Sequence, residues 1–445
     1  MTDTFLSGVI EGFYGRPWTQ VQRFELLEWL SAWGLNTYVY APKDDLKLRA
    51  AWHDLYDEAE LKTLRELATR CAEEGVAFIY TLSPGLSICY SSEDDLRTLK
   101  QKVDQLLELG VNHFSLLFDD IPSEMLEADA ARFGSFAEAQ SYVTNELFTY
   151  VRRTEGLFFF CPTDYCARMV TPSVTGSSYL KELGERLHPD IDVFWTGPEI
   201  VSETISVASI RELQTVLKRK PLIWDNLHAN DYDLRRLYLG PYKGRSSALK
   251  KEVRGVLSNP NTEFEANFVP LETLARYVQD GGYEPRRAYS EALKAWLPRF
   301  RVRGEGQVTL GELELLGDLC YLFCEHGTRA EAVLRRAQKM LETPPEQWGN
   351  SLGQLETTVQ EVQSLFRKLT LLENRDLLYA VYAYLWELEH ELRYLVRYLK
   401  WVEQGKPGDH FAQPEQVTNT FRGGLSAAIG RLLPLSEEGR LLPKG

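Results

Sequence analysis

Long apolar runs are missing from this 445-residue chain. No segment approaches the roughly 18 uninterrupted apolar residues that a membrane-spanning helix needs. A basic leader is missing too. The first residues, Met1 to Phe5, carry no positive charge and run straight into a strand-like segment at Leu6. No signal peptide is expected, and the protein is expected to be cytoplasmic. Cysteine is scarce, with six in all: Cys71, Cys89, Cys161, Cys166, Cys320 and Cys324. They form no CxxC pair and have no histidine at zinc-finger spacing, so buried thiols are expected rather than disulfides or a metal site. Positive charge is also in deficit, and the net charge is −14. That disfavours a nucleic-acid partner, whose binding rests on Lys and Arg against phosphate. It equally disfavours docking on an anionic membrane. Neither GxGxxG nor GxxxxGK[ST] occurs, which leaves a nucleotide site unsupported. GxSxG is absent as well, which weakens a serine hydrolase. The seven histidines show no metal-ligand spacing, so no catalytic metal and no cofactor are expected. Repeats and low-complexity segments are lacking.

What is present is a regular alternation. Eight short runs rich in Val, Ile, Phe, Tyr and Trp cover 6–14, 35–42, 76–83, 113–120, 157–162, 191–196, 221–226 and 255–257. Most are continuously apolar, as parallel strands covered on both faces should be. Helix-like stretches separate them, among them 21–33, 96–109, 138–151 and 207–217. Ser92-Glu93-Asp94-Asp95 reads as a capping box ahead of the second of these. A doubly wound sheet gives the same alternation, but eight strand–helix repeats over about 290 residues favour a (β/α)8 TIM barrel. The expected division is a barrel over 1–298, a linker over 299–309 and an all-α helical bundle over 310–445. In the bundle, Leu378, Val381, Leu385, Leu388, Leu392, Leu395, Leu399 and Val402 alternate at spacings of three and four, an a/d seam over four heptads. Further helices are expected over 328–341, 347–372 and 414–433.

Polar residues cluster just after the strand runs, where a barrel keeps its active site. Asp119-Asp120 closes the fourth run, and two carboxylates in one pocket resist ionising together, which separates an acid from an anion. Side chains of strand neighbours point to opposite faces, so both can reach one pocket only if the strand ends and the backbone turns there. After the seventh run, 224–231 (WDNLHAND) offers an aromatic floor followed by amide, imidazole and carboxylate groups, a surface suited to a hydroxyl-rich ligand. Abundant aromatic residues, 10 Trp and 22 Tyr, also suit a sugar cleft. His228 is expected to be a structural hydrogen-bonder in that loop.

Seven motifs in order carry a family resemblance: GVIEGFYGRPW at 8–18, NTYVYAPKDD at 36–45, SLLFDD at 115–120, WTGP at 195–198, WDNLHANDYD at 224–233, LGPYKGR at 239–245 and FEAN at 264–267. Together they resemble glycoside hydrolase family 84 over roughly 5–290, and most closely its O-GlcNAcase branch, which removes N-acetylglucosamine (GlcNAc) from Ser and Thr of proteins. The C-terminal helices resemble that family's stalk loosely. The long insertion and acetyltransferase-like domain of animal relatives have no counterpart in these residues.

The resemblance implies a retaining exo-β-N-acetylglucosaminidase working by substrate-assisted catalysis. The substrate's 2-acetamido oxygen attacks the anomeric carbon and forms an oxazoline. By that resemblance Asp119 stays ionised and receives the acetamido N–H. Asp120 protonates the leaving oxygen and then activates water, which calls for a raised pKa. Tyr165 meets the acetamido oxygen, and Tyr14 and Trp224 line the acetamido methyl. The Gly12 carbonyl, Lys43, Asn226, Asp231 and Asn267 hold the sugar hydroxyls. The implied partners are O-GlcNAc-modified proteins or other GlcNAc glycosides. Two alternatives stand beside this: a hexosaminidase or hyaluronidase-type hydrolase of GlcNAc-containing glycans, and a non-catalytic GlcNAc-binding barrel whose helices recruit partners. The helical region is read first as a packing platform for the barrel and alternatively as a wall for the substrate polypeptide or a homodimer interface, with Tyr394, Tyr398 and Trp401 as candidate exposed aromatics.

Overall fold

A computed structural model describes residues 4–405, 411 and 422–433. The eight strand runs become eight parallel strands: β1 (Leu6–Glu11), β2 (Thr37–Tyr40), β3 (Ala77–Leu82), β4 (His113–Leu117), β5 (Phe158–Cys161), β6 (Asp192–Trp195), β7 (Leu222–Asp225) and β8 (Gly255–Ser258). They pair in sequence order, and β8 closes on β1 with Leu6 opposite Gly255, giving the expected TIM barrel. Every residue of β1, β2, β5, β7 and β8 is buried, which is why these strands read as unbroken apolar runs.

The chain forms two compact units. The first comprises Met1–Asp231, Tyr242–Thr262 and Leu274–Tyr283, and the second Tyr232–Pro241, Glu263–Thr273 and Glu284–Gly445. The first holds the barrel. Ile10, Val39, Ile79, Leu117, Phe159, Phe194, Leu222 and Leu257 fill its interior. Each such side chain contributes about 1.5–3 kcal/mol by leaving water. Helices return the chain between strands, beginning with Gln20–Ala32 and Glu58–Glu73, both opened by full capping boxes from Thr19 and Asp57. At helix Glu93–Glu108 only half of the expected box forms. Ser92 Oγ accepts from the Asp95 N–H at 3.2 Å, but Asp95 does not reach back. Its carboxylate instead accepts from the Cys89 N–H at 2.8 Å, because the Ser92 N–H is already donated to the Cys89 carbonyl.

The second unit is helical. Its longest helix is Arg375–Glu403, and the a/d seam is buried throughout except for the half-buried Val402. Ser351–Thr370 and Thr328–Glu342 share its core. Of the helix expected over 414–433, Gly424–Leu432 is observed, while 414–421 lie outside the described residues. The expectation for the aromatic residues of the long helix fails. Tyr398 and Trp401 are buried and, with the half-buried Tyr394, ring Phe411 at centroid separations of 5.7 Å. Aromatic rings on the inner stripe of a helix cover core, whatever their distance from its start. The exposed rings of this helix are Tyr379, Tyr382 and Trp386, on another stripe. Among the described residues no helix is long and apolar enough to cross a membrane, and no disulfide joins the six cysteines.

Candidate active site

The loop after β1 is set by a buried carboxylate. Glu11 accepts from Arg23 Nε and Nη2 at 2.9 and 2.7 Å, from the Trp18 N–H at 3.1 Å and from the Tyr38 hydroxyl. Gly12 follows. A Cβ there would lie 2.5 Å from the Trp224 ring, so only glycine lets that indole rest against the backbone. Tyr14 N–H then donates to Asp231 Oδ2 at 2.9 Å, tying the loop after β1 to the loop after β7.

β4 ends at Leu117, and the acidic pair stands just beyond it. Asp120 has φ +51°, the left-handed region that Asp tolerates better than most residues. This is the turn the two carboxylates require if they are to share one pocket. Asp119 is only 7% exposed. Lys43 Nζ donates to its Oδ2 at 2.5 Å, and Arg49 Nη1 lies 4.0 Å from the same oxygen. Burial by itself would raise this carboxyl. The Lys43 ammonium and the Arg49 guanidinium outweigh it and hold Asp119 below the usual carboxylate range. Its Oδ1 is buried and meets no donor among the described residues.

Asp120 is met by two phenols. Tyr14 donates to Oδ2 at 2.7 Å and Tyr165 to Oδ1 at 3.3 Å. Burial, reinforced by Asp120, pushes both phenols well above their ordinary pKa, so both remain donors. Lys43 also lies 5.6 Å from the Tyr14 ring centroid and 5.9 Å from that of Trp224. Its loop is stiffened by Asp45, which accepts from the Tyr40 and Tyr56 hydroxyls at 2.9 and 2.8 Å and from the Lys47 and Leu48 N–H groups. Cys161, ending β5, is buried, and burial with nearby Asp119 raises its thiol strongly, which suits packing and not nucleophilic attack.

β7 supplies the third wall. Trp224 Nε1 and Asn259 Nδ2 both donate to Asn226 Oδ1 at 3.0 Å, and Asn226 Nδ2 donates to the Ile200 carbonyl at 2.8 Å. Between them Asp225 is locked by Arg245 (Nε 2.8 Å, Nη2 2.7 Å) and the Tyr242 hydroxyl (2.7 Å), all buried. Arg245 also donates to the Ser202 and Glu203 carbonyls, which joins the loops after β6 and β7.

Hydrogen bonds and ion pairs thus bring Asp119, Asp120, Tyr14, Lys43 and Tyr165 together, with Asp231 linked through Tyr14. Gly12, Trp224 and Asn226 form a second connected set. Asn267 falls in the other compact unit, buried in the 3-10 turn Phe264–Asn267, where its Nδ2 donates to the Glu263 carbonyl at 3.2 Å. His228 is buried. Two residues escaped the sequence reading. Asn259 directly follows β8, and applying the end-of-strand rule to 258–261 would have found it. Arg49 lies four residues past the last residue of the second motif and carries no local signature. Chemically, the site offers one ionised carboxylate held by cations, a second carboxylate under two hydroxyls, and an indole floor.

Known proteins share this arrangement of sequence and fold. The family model described as beta-N-acetylglucosaminidase matches residues 7–303. Protein O-GlcNAcase of Rattus norvegicus is 52% identical over 275 residues, 62% of this chain and 30% of that protein, and the Mus musculus protein matches equally. The chain thus spans less than a third of the length of these relatives. A mutant of the Thermobaculum terrenum O-GlcNAc hydrolase superposes with TM-score 0.82 at 27% identity, covering 97% of this chain and 94% of that one. A match across the whole barrel, including the strand ends that carry both aspartates, places the chain in a family: it belongs to the beta-N-acetylglucosaminidase family.

Proposed function

We propose that this chain is a retaining exo-β-N-acetylglucosaminidase that removes O-linked GlcNAc from Ser and Thr of proteins, with the substrate's acetamido oxygen as nucleophile. One observation carries it. Asp119 has one oxygen claimed by Lys43 and the other buried with no donor among the described residues. An anion fixed on one side and unpaired on the other suits an amide N–H. Receiving that N–H orients the acetamido group and stabilises the positive charge that builds as the oxygen attacks the anomeric carbon. Asp120 gives its proton to the departing Ser or Thr oxygen as that bond breaks. It then takes a proton from water as the oxazoline opens, restoring the anomeric configuration.

The remaining roles follow the same logic. Tyr14 and Trp224 border the acetamido methyl. Tyr165, now on Asp120, is free to turn its hydroxyl to the acetamido oxygen. Lys43, Asn226, Asp231 and the Gly12 carbonyl take the sugar hydroxyls. The titration of Asp119 has a signed consequence. Its charge is needed and its pKa is held down, so kcat/KM persists to acid pH and falls only as pH drops through that lowered value. Six cysteines without a disulfide are in keeping with a cytoplasmic location.

The test compares aryl glycosides bearing 2-acetamido and 2-trifluoroacetamido groups. Wild type should slow steeply on the fluorinated substrate, and Asp119→Asn should lose about 10²–10³ in kcat. A rate indifferent to fluorination would mean that a protein group or water attacks. Turnover of GlcNAc glycopeptides against GlcNAc-containing polymers then separates a protein substrate from a glycan, and failure to turn over either leaves a binding barrel.

A further inference from the structure

Arg49 belongs to none of the motifs, yet it touches both aspartates. It sits in the loop after β2 and is 7% exposed. Its Nη2 donates to the Asp120 backbone carbonyl at 3.2 Å, and its Nη1 stands 4.0 Å from Asp119 Oδ2. Nη1 is buried and finds no acceptor within hydrogen-bond distance among the described residues. A buried guanidinium N–H without an acceptor is costly and calls for a reason. The loop that presents it is firm. Asp45 gathers two phenols and two backbone N–H groups, the Arg49 N–H donates to the Leu46 carbonyl at 3.2 Å, and the Ser83 N–H from the end of β3 donates to the Leu48 carbonyl at 2.9 Å.

We infer that Arg49 is a positioning residue for both acids: one arm of its fork pins the left-handed turn at Asp120, and the other is the second cation facing Asp119. A planar fork sends two separate nitrogens to two targets, whereas a lysine ammonium is a single point of charge. Arg49 touches no reacting atom. It acts through the aspartates, and its catalytic consequence rests on the glycosidase function proposed above. The groups facing Asp119 are Lys43 and Arg49 from the loop after β2, Tyr14 from that after β1, Asp120 beside it, and Cys161 and Tyr165 at and after the end of β5. Of these, only Lys43 and Arg49 bring positive charge.

The test uses Arg49→Met and Arg49→Lys in the full chain, with two readouts. The first is the carbon-13 titration of the Asp119 carboxyl in ligand-free protein, which needs no activity. Its midpoint should rise in Arg49→Met and stay near wild type in Arg49→Lys. The second is kcat on aryl 2-acetamido glycosides with poor and activated leaving groups. Displacing Asp120 should cost the poor leaving group about tenfold more than the activated one in both variants. A loss of packing alone would slow both substrates alike and leave the titration in place, and that pair of results overturns the inference. If Arg49→Met fails to fold, Arg49→Lys decides: an unchanged leaving-group dependence overturns it. Wild type inactive on every glycoside would sink the functional proposal, while the titration would still judge Arg49.

Discussion

At the scale of single residues, the site depends on a missing side chain as much as on charged ones. Gly12 exists to let the Trp224 indole lie on the backbone. Gly12→Ala should drive that ring out of place at about 1–3 kcal/mol of stability and raise KM for GlcNAc glycosides. Pairing it with Trp224→Phe should recover part of the stability, which thermal unfolding of the two variants would measure. Much at this scale was readable beforehand. The Asp119–Asp120 pair, Tyr14 and Lys43 directly follow or end a strand run and Trp224 stands near the end of one, and a barrel turns that position into proximity. Arg49 was not readable. Its importance comes from where a loop folds back, and nothing local in KLRAAW encodes that. Nor did the strand rule settle how two adjacent acids face one pocket. The answer is a single φ angle, which no pattern of residue types displays.

At the scale of elements, the loop after β7 is held by a buried ion pair. Asp225 and Arg245 are fully buried, doubly bonded to each other, and joined by Tyr242. Removing one partner of such a pair strands the other charge. Arg245→Met should therefore cost about 3–5 kcal/mol in chemical denaturation, well above the cost of an exposed pair such as Arg97–Asp94. Asn226 opens this loop and Asp231 lies within it, so sugar affinity should weaken as well. The strands and the long seam were legible because burial on two faces and burial on one stripe leave distinct periods. The half-formed cap at Ser92 was not, because an alternative donor, the Cys89 N–H, competes for Asp95 and is visible only in three dimensions. The aromatic residues at 394–401 misled for a related reason. A ring near a helix end looks available until Phe411, which packs against it, is placed.

For the whole molecule, a net charge of −14 makes the surface selective in a way the sugar pocket is not. Steering by net charge acts on encounter and is screened by salt. Glycopeptides flanked by lysine should show kcat/KM falling as NaCl rises from low to physiological strength. Acid-flanked peptides should show the reverse, and a neutral aryl glycoside should be insensitive. Equal salt responses for all three would mean that the field at the site mouth differs from the global charge. Composition displayed this much directly, and the eight-fold alternation displayed the barrel. Where the compact units divide was less visible, because 232–241 and 263–273 leave the barrel's run of sequence to join the helical unit.

The left-handed turn at Asp120 also decides which knockout is clean. Asparagine visits that backbone region nearly as readily as aspartate, whereas alanine enters it at a penalty. Asp120→Asn therefore removes the acid and keeps the chain path. Asp120→Ala removes the same acid and also loosens the bend that aims its neighbour, so it disturbs Asp119 too. Two laboratories choosing different substitutions at one codon would measure different losses, and only the asparagine figure would describe acid catalysis alone.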